Sequence, residues 1–425
     1  MVTNARGENM NHLKPDDKTR PELVWPNKSR AFQQAFEPSD KRLSPQPSIS
    51  SQWDKTKNIY IEGDNLDALK LLLPDYRERI KLVYIDPPYN TGNCDLIYGD
   101  MFQYAWLDLM YPRLILTRYL LAKNGVIFIS IDDHEVASLR CLCDEVFGRE
   151  NFIAQIVWER AYAPVSARKH FSQNHEYIVV YAKDRTNLTC NGLHRTEETN
   201  SRYKNPDNDP RGPWQSDNLT VGPVIPEKCY PIVTPSGRVV YPPHGRCWLF
   251  TKERFMELVA DNRIWFGRNG NGVPRLKRFL SEVQDRIPPK TIWHYTEVGH
   301  TQQAKMELKQ LFEGLSCFDY PKPVSLILRI IQLYSDRDAI VLDYFSGSAT
   351  TAHAVMLQNA LDGGARQFIM VQRPDPINQD APAFQAGFRD ICEIGRARIQ
   401  KAAQLIQDKS GAQIDYGFRV YRITE

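Results

Sequence analysis

The stretch Ala339–Met356, AIVLDYFSGSATTAHAVM, decides how the chain folds. Its apolar start reads as a buried strand ending at Leu342, the segment Asp343-Tyr344-Phe345-Ser346-Gly347-Ser348 as a glycine turn, and the run from Thr350 as a helix. A glycine just after a strand lets the backbone approach a ligand, and the helix that follows offers free N–H donors. An adenosine-bearing cofactor suits such a loop. The strict GxGxxG spacing is absent, so an ordinary strand-to-helix turn fits the same residues.

The alternation of strand and helix recurs on both sides of this stretch. Upstream, NIYIEGDNLDALKLLL places a strand around Ile59–Ile61 before Gly63-Asp64 and a helix with leucines at 66, 69, 72 and 73. IKLVYIDPPYNTG follows, an apolar run from Ile80 to Ile85 with Lys81 as its one charge that stops at two prolines, as a buried parallel strand does when it ends in a functional loop. A helix from about Trp106 to Leu121, the strand GVIFISIDD, the amphipathic HEVASLRCLCDEVFG and the strands IAQIVWE and HEYIVVYAKD continue the series. From about Arg185 to Cys317 the periodicity fades and Pro, Gly, Asn and aromatics become frequent. The pattern resumes with the helix PKPVSLILRIIQLY, the quoted stretch, the strand QFIMVQ and a helix from about Phe384 to Ala403. This predicts an α/β fold, a parallel doubly wound sheet interrupted by one insertion. The expected divisions are an extended N-terminal arm over 1–54, a first half of the sheet domain over 55–185, an insertion over 186–317 and a second half over 318–425.

Asp86-Pro87-Pro88-Tyr89 stands directly after the buried strand. Two prolines stiffen the loop and remove two N–H donors, so its carbonyls can face outward as acceptors. An exocyclic base amine needs such acceptors: the Asp86 carboxylate and the Pro87 carbonyl would each take one amine hydrogen and turn the nitrogen lone pair away from the ring. Tyr89 offers a flat face for a base extruded from a duplex. A rigid Pro-Pro turn with a capping aspartate fits the same four residues.

Composition narrows the class. Of 425 residues 42% are hydrophobic and 25% charged, the balance of a globular protein long enough for two or three domains. No apolar run approaches bilayer length and the first twenty residues have no apolar core of a secretion signal, so a cytoplasmic protein is expected. Eight cysteines at 94, 141, 143, 190, 229, 247, 317 and 392 form no CxxC pair, and His170 and His175 are not spaced to share a helix face; neither disulfide nor metal is expected. From Arg160 to Lys290, 21 Lys and Arg face 13 Asp and Glu, a surplus of eight, while the whole chain carries only +3. A basic middle suits a phosphate-binding surface, although solvated basic faces are common. Within it RYKNPDNDPRGPW is rich in residue types that read base edges, or that shape a loop.

The segments IEGDNLDALKLL, DPPYNTG, WLDLMYPRLIL, GVIFISIDDHEVASLRCLCDEVFG, NHEYIVVYAKD, FDYPKPVSLI, VLDYFSGSATTAHAV and FIMVQ occur in an order that resembles the β-class amino-methyltransferases over roughly residues 55–420. More closely, the chain resembles the modification subunit of type III restriction-modification systems. The resemblance implies a Rossmann-like methyltransferase sheet, circularly permuted so that the catalytic motif precedes the cofactor motif, with a target-recognition domain between them. It implies S-adenosylmethionine as cofactor and a site-specific DNA-methyltransferase that modifies the N6 amine of adenine by base flipping. Asp86, Pro87, Pro88 and Tyr89 match the catalytic motif. Asp343, Phe345, Gly347 and Ser348 match the cofactor loop, Asp64 the acid near the cofactor's adenine, and Lys322 and Pro323 a helix start beside its methionine part. Gln372 stands where an Asp or Glu commonly holds ribose hydroxyls, and Ala349 where glycine is usual.

The alternatives are N4-cytosine methylation, a silent DNA-binding subunit, and RNA or protein amide methylation; the large basic aromatic insertion favours double-stranded DNA. The implied partners are that duplex, a second copy of the chain and a separate restriction subunit. No GxxxxGK[ST] loop is present, so methylation is expected to need no ATP. Relatives often continue beyond a segment like DYGFRVYRI, from which weak or absent binding of the restriction subunit is expected.

Overall fold

A computed structural model describes residues 22–92, 103–164 and 169–425. The chain forms two compact units, Met1–Asn191 with Lys290–Glu425, and Gly192–Pro289.

The larger unit is built on one ten-stranded sheet. Its strands, numbered within this unit, are β1 (Arg42–Pro45), β2 (Ile59–Glu62), β3 (Ile80–Ile85), β4 (Leu121–Ile131), β5 (Phe152–Glu159), β6 (His175–Ala182), β7 (Ile292–Trp293), β8 (Ile340–Asp343), β9 (Gln367–Gln372) and β10 (Arg419–Thr424). The order across the sheet is β1-β10-β2-β9-β8-β3-β4-β6-β5-β7. Six neighbours, β10 through β4, run parallel, while β1 and β6 run antiparallel to their partners. All six residues of β3 are buried, Lys81 included, which explains why the other five positions are apolar or aromatic.

Helices cover both faces. On one side α2 (Asn65–Tyr76), α3 (Gln103–Leu120) and α4 (Val136–Phe147) pack with Ile61, Val83, Ile85, Ile129, Leu342 and Ile369 in one core. On the other, α6 (Val324–Tyr334), α7 (Thr350–Asp362) and α8 (Ile391–Ser410) pack together. Strand alternation sends the intervening side chains there, and a Cβ at Gly395 of α8 would collide with the Tyr60 hydroxyl. Each fully buried Val, Leu or Ile contributes roughly 1.5–3 kcal/mol.

The central pairing positions the site. Val341 lies opposite Leu82 and Leu342 opposite Val83, in parallel, although some 260 residues separate them in the sequence. The loops after β3 and β8 therefore leave the same end of the sheet from adjacent strands, where ligands of open α/β sheets bind.

Three sequence readings shift. The described part of the expected arm, 22–54, is ordered: α1 (Lys28–Gln34) packs on α3 through buried Ala31 and Ala35, and β1 joins β10. Residues 1–21 lie outside the described residues. The last helix starts at Ile391 rather than near Phe384, because Gly387 takes φ +103° and Asp390 caps the helix by accepting from Glu393 N at 2.9 Å. The compact insertion is narrower than 186–317, since Ile292–Trp293 already pairs with β5.

The smaller unit joins a three-stranded antiparallel sheet (Trp214–Asn218, Ile264–Trp265, Arg275–Phe279) to the helix α5 (Lys252–Ala260). Leu219, Ile232, Trp248, Phe255 and Leu258 form its core. Lys277 is fully buried between Asp207 and Asp209, 3.1 Å from the latter, whose carboxyl is held well below the usual carboxylate range by Arg211 first and by Lys277. Only half the basic surplus of the middle lies here, 15 Lys and Arg against 11 Asp and Glu.

Among the described residues no helix is long and apolar enough to cross a membrane. Seven cysteines are free thiols; Cys94 lies outside the described residues.

Candidate active site

β3 delivers Asp86 to the rim of the sheet, and the two prolines fix the turn that follows. Trp106 at the start of α3 donates to the Pro88 carbonyl at 2.6 Å, pinning the loop to a buried indole. Asn90 takes a left-handed φ of +60° and donates to Glu135 at 2.6 Å. This turn presents Asp86 to Lys322, whose Nζ lies 2.8 Å and 2.9 Å from the two carboxylate oxygens. The Tyr89 hydroxyl donates to Asp86 Oδ1 at 2.8 Å and receives from Lys322 at 2.9 Å.

Glu176 on β6 closes the group. Its Oε2 is 3.1 Å from the Tyr89 hydroxyl and 3.4 Å from Lys322 Nζ, and its Oε1 is 3.3 Å from Arg160 Nε. Two carboxylates and two cations thus balance in a sheltered space. Burial pulls the Lys322 ammonium down, but Asp86 and Glu176 outweigh it and leave its pKa raised. Burial, then the charges of Asp86 and Glu176, push Tyr89 well up, so it stays a neutral phenol. Lys322 also sits over the Tyr89 ring, 5.1 Å from its centroid.

The loop after β8 is held from beneath. Asp343 is buried, accepts from Thr351 Oγ1 at 2.6 Å and from Phe345 N at 3.1 Å, and is pushed up to about 7 by burial, with Asp86 adding to the push. Gly347 adopts φ +50°, and a Cβ there would lie 3.2 Å from Phe318 Cζ, so only glycine leaves this cradle open. Ala349 takes φ +62°, a left-handed conformation that explains why glycine suits that position. Ser348 and Thr350 hydroxyls receive from buried Arg398 at 2.8 Å and 2.6 Å.

The other expected residues meet this loop. Asp64 caps α2, accepting from Leu66 N at 2.8 Å, and lies 3.4 Å from Arg113; its neighbour Asn65 donates to the Tyr344 carbonyl at 2.7 Å. Gln372 at the end of β9 accepts from Gly347 N at 2.8 Å through its side chain and from Gly63 N at 2.9 Å through its carbonyl. It braces the loop at the position expected to face the ribose. Pro323 is the N-cap of α6. Lys322 lies on Asp86, so the sequence-based position beside a cofactor is joined by an unforeseen contact with the catalytic motif.

The structure thus gathers Asp86, Tyr89 and Lys322 in one cluster and Asp64, Asp343, Phe345, Gly347, Ser348 and Gln372 around an adjoining one. Glu176, Arg160 and Arg398 were missed. Glu176 belongs to NHEYIVVYAKD, where a charged residue at the start of an apolar strand was the available signal.

The chain matches the family model described as DNA methylase over residues 80–371. It is 36% identical to the StyLTI Mod subunit, a type III restriction-modification enzyme of Salmonella typhimurium, across 86% of this chain and 60% of that one. It is 32% identical to the EcoPI Mod subunit of Escherichia phage P1, over 94% of this chain and 70% of that one. It is 34% identical to the type II methyltransferase M.KpnI of Klebsiella pneumoniae, over 87% and 91%. The chain therefore spans about three fifths of the Salmonella relative's length.

Proposed function

The chain belongs to the DNA methylase family, and from that premise we propose that it transfers a methyl group from S-adenosylmethionine to the N6 amine of adenine in duplex DNA. The observation that carries the reading is the Lys322 ammonium, whose nitrogen lies within 2.9 Å of both Asp86 oxygens and of the Tyr89 hydroxyl. A nitrogen donor is already recognised there, beside the glycine loop.

Two features of that loop fit the cofactor. Ser346 Oγ is buried without a hydrogen-bond partner among the described residues, and the space over Gly347 is one that a Cβ would fill. The loop from Asp343 to Ser348, with Asp64 at the start of α2, would hold it. When bound, the cofactor supplies an electrophilic methyl group on a sulfonium. The protein's part is orientation. Asp86 and the Pro87 carbonyl accept the two amine hydrogens, so the lone pair points out of the ring plane and towards the loop. Tyr89 gives the extruded base a stacking face, which offsets part of the cost of leaving the duplex. The target amine's surplus proton after transfer has Asp86 within hydrogen-bond reach.

The partner is duplex DNA, contacted by the basic insertion. Similarity to Mod subunits extends the reading to a second copy of the chain and a separate restriction subunit, which light scattering of the mixed proteins tests.

Incubating plasmid from a host without DNA methylation with S-adenosylmethionine, then analysing nucleosides, tests the chemistry. Wild type is expected to yield N6-methyladenine and Asp86→Ala none, with S-adenosylhomocysteine binding preserved in the variant. Tyr89→Ala loses turnover more than duplex binding. N4-methylcytosine as product would overturn the choice of base, and normal turnover by Asp86→Ala the assignment of the site.

A further inference from the structure

We infer that Glu176 is a positioning residue for the transfer: it receives the Lys322 ammonium when the target amine claims Asp86. The inference rests on Asp86 being the amine acceptor.

An ammonium has three N–H donors. In the structure Lys322 directs them at Asp86, Tyr89 and Glu176, at 2.8, 2.9 and 3.4 Å. The Lys322 nitrogen spans both Asp86 oxygens, at 2.8 and 2.9 Å, and so occupies the ground from which a base amine would approach that carboxylate; catalysis requires the lysine to move. Its side chain is only 11% exposed, and a buried cation without a counter-charge is costly. The backbone gives it little freedom, because Pro321 and Pro323 flank it and Pro323 caps α6.

Glu176 is the acceptor within reach. It is 10% exposed, it stands on β6 opposite the Asp86 loop, and closing its contact with Lys322 from 3.4 Å to the 2.8 Å seen at Asp86 takes about 0.6 Å. Arg160 holds its far oxygen at 3.3 Å, so Glu176 stays put while the lysine swings. The Tyr89 hydroxyl, 3.1 Å from the same Oε2 that faces Lys322, can turn its proton between the two carboxylates as their occupancy changes. The groups facing Lys322 are thus Asp86 and Tyr89 from the β3 loop and Glu176 from β6, with Arg160 behind Glu176. Without Glu176 the lysine has Asp86 as its one carboxylate and competes with the amine for it.

The test uses the full chain with S-adenosylmethionine and unmethylated plasmid. Glu176→Gln is expected to lower kcat by roughly tenfold, with the cofactor KM, S-adenosylhomocysteine affinity and Tm near wild type. Glu176→Asp, which keeps a carboxylate facing Lys322, should recover part of the lost kcat. An unchanged kcat, an equal loss in Glu176→Gln and Glu176→Asp, or a fall in Tm matching the fall in kcat would each overturn the role. Failure of the wild type to methylate would instead refute the proposed function, so the two failures are distinguishable.

Discussion

Asp343 makes the stability of the larger unit depend on pH in a direction unusual for a carboxylate. Its carboxyl is buried at the end of β8 and pushed from the ordinary 3.8 up to about 7, because burial outweighs the hydrogen bonds from Thr351 and Phe345. The folded protein holds that proton more tightly than the unfolded chain. The stability this provides is complete below about pH 4 and is lost as pH rises towards 7. A difference of about three units corresponds to roughly 4 kcal/mol in full, of which about 3 kcal/mol falls between pH 4.5 and 7.5. Asp343→Asn keeps an acceptor for Phe345 N and removes the titration, while every other group remains. Urea unfolding of both proteins, followed by tryptophan fluorescence from pH 4.5 to 8.5, should show the variant gaining on wild type by about 3 kcal/mol and levelling off above pH 8. A difference that stays flat across this range would refute the reasoning.

Two further outcomes follow from packing. Gly347→Ala forces a side chain into φ +50° and towards Phe318, so it should cost about 1–2 kcal/mol and lower S-adenosylhomocysteine affinity, read by calorimetry, while duplex binding stays. Lys277→Met leaves Asp207 and buried Asp209 without their shared cation, and should destabilise the smaller unit by about 3–5 kcal/mol, read as an earlier calorimetric transition; an unchanged transition would count against a structural ion pair there.

What the sequence disclosed was local. Ile80–Ile85 announces a buried strand because every position is apolar or sheltered, and the prolines at 87 and 88 mark where it must end. Gly347 and the helix after it are equally legible. The ion pair of Lys322 with Asp86 joins residues 236 apart, and nothing within either segment specifies the other. Glu176 was hidden for the same reason, since its neighbours on β6 report only a strand. Gln372 shows a subtler case: its type and place suggested a ligand contact, and nothing local announced that its side chain also accepts from Gly347 N, a partner 25 residues away. The ordered segment 22–54 escaped because Pro26 and a polar surface mask a short helix whose burial is supplied by α3.

The two ends of the smaller unit lie side by side: Leu193 pairs with Ile287 and His194 with Arg286 in a short antiparallel ladder, and Arg286 also donates to the Gly192 carbonyl at 3.3 Å. To the rest of the chain, nearly a hundred residues therefore enter and leave at almost one point, as a tight loop would. A segment joined in this way can be lengthened, shortened or exchanged for an unrelated one without altering the spacing that β5 and β7 must meet. Its own core, around Trp248 and Phe255, keeps it folded on its own terms. The smaller unit is thus a cassette, replaceable as a whole while the ten-stranded sheet is inherited unchanged.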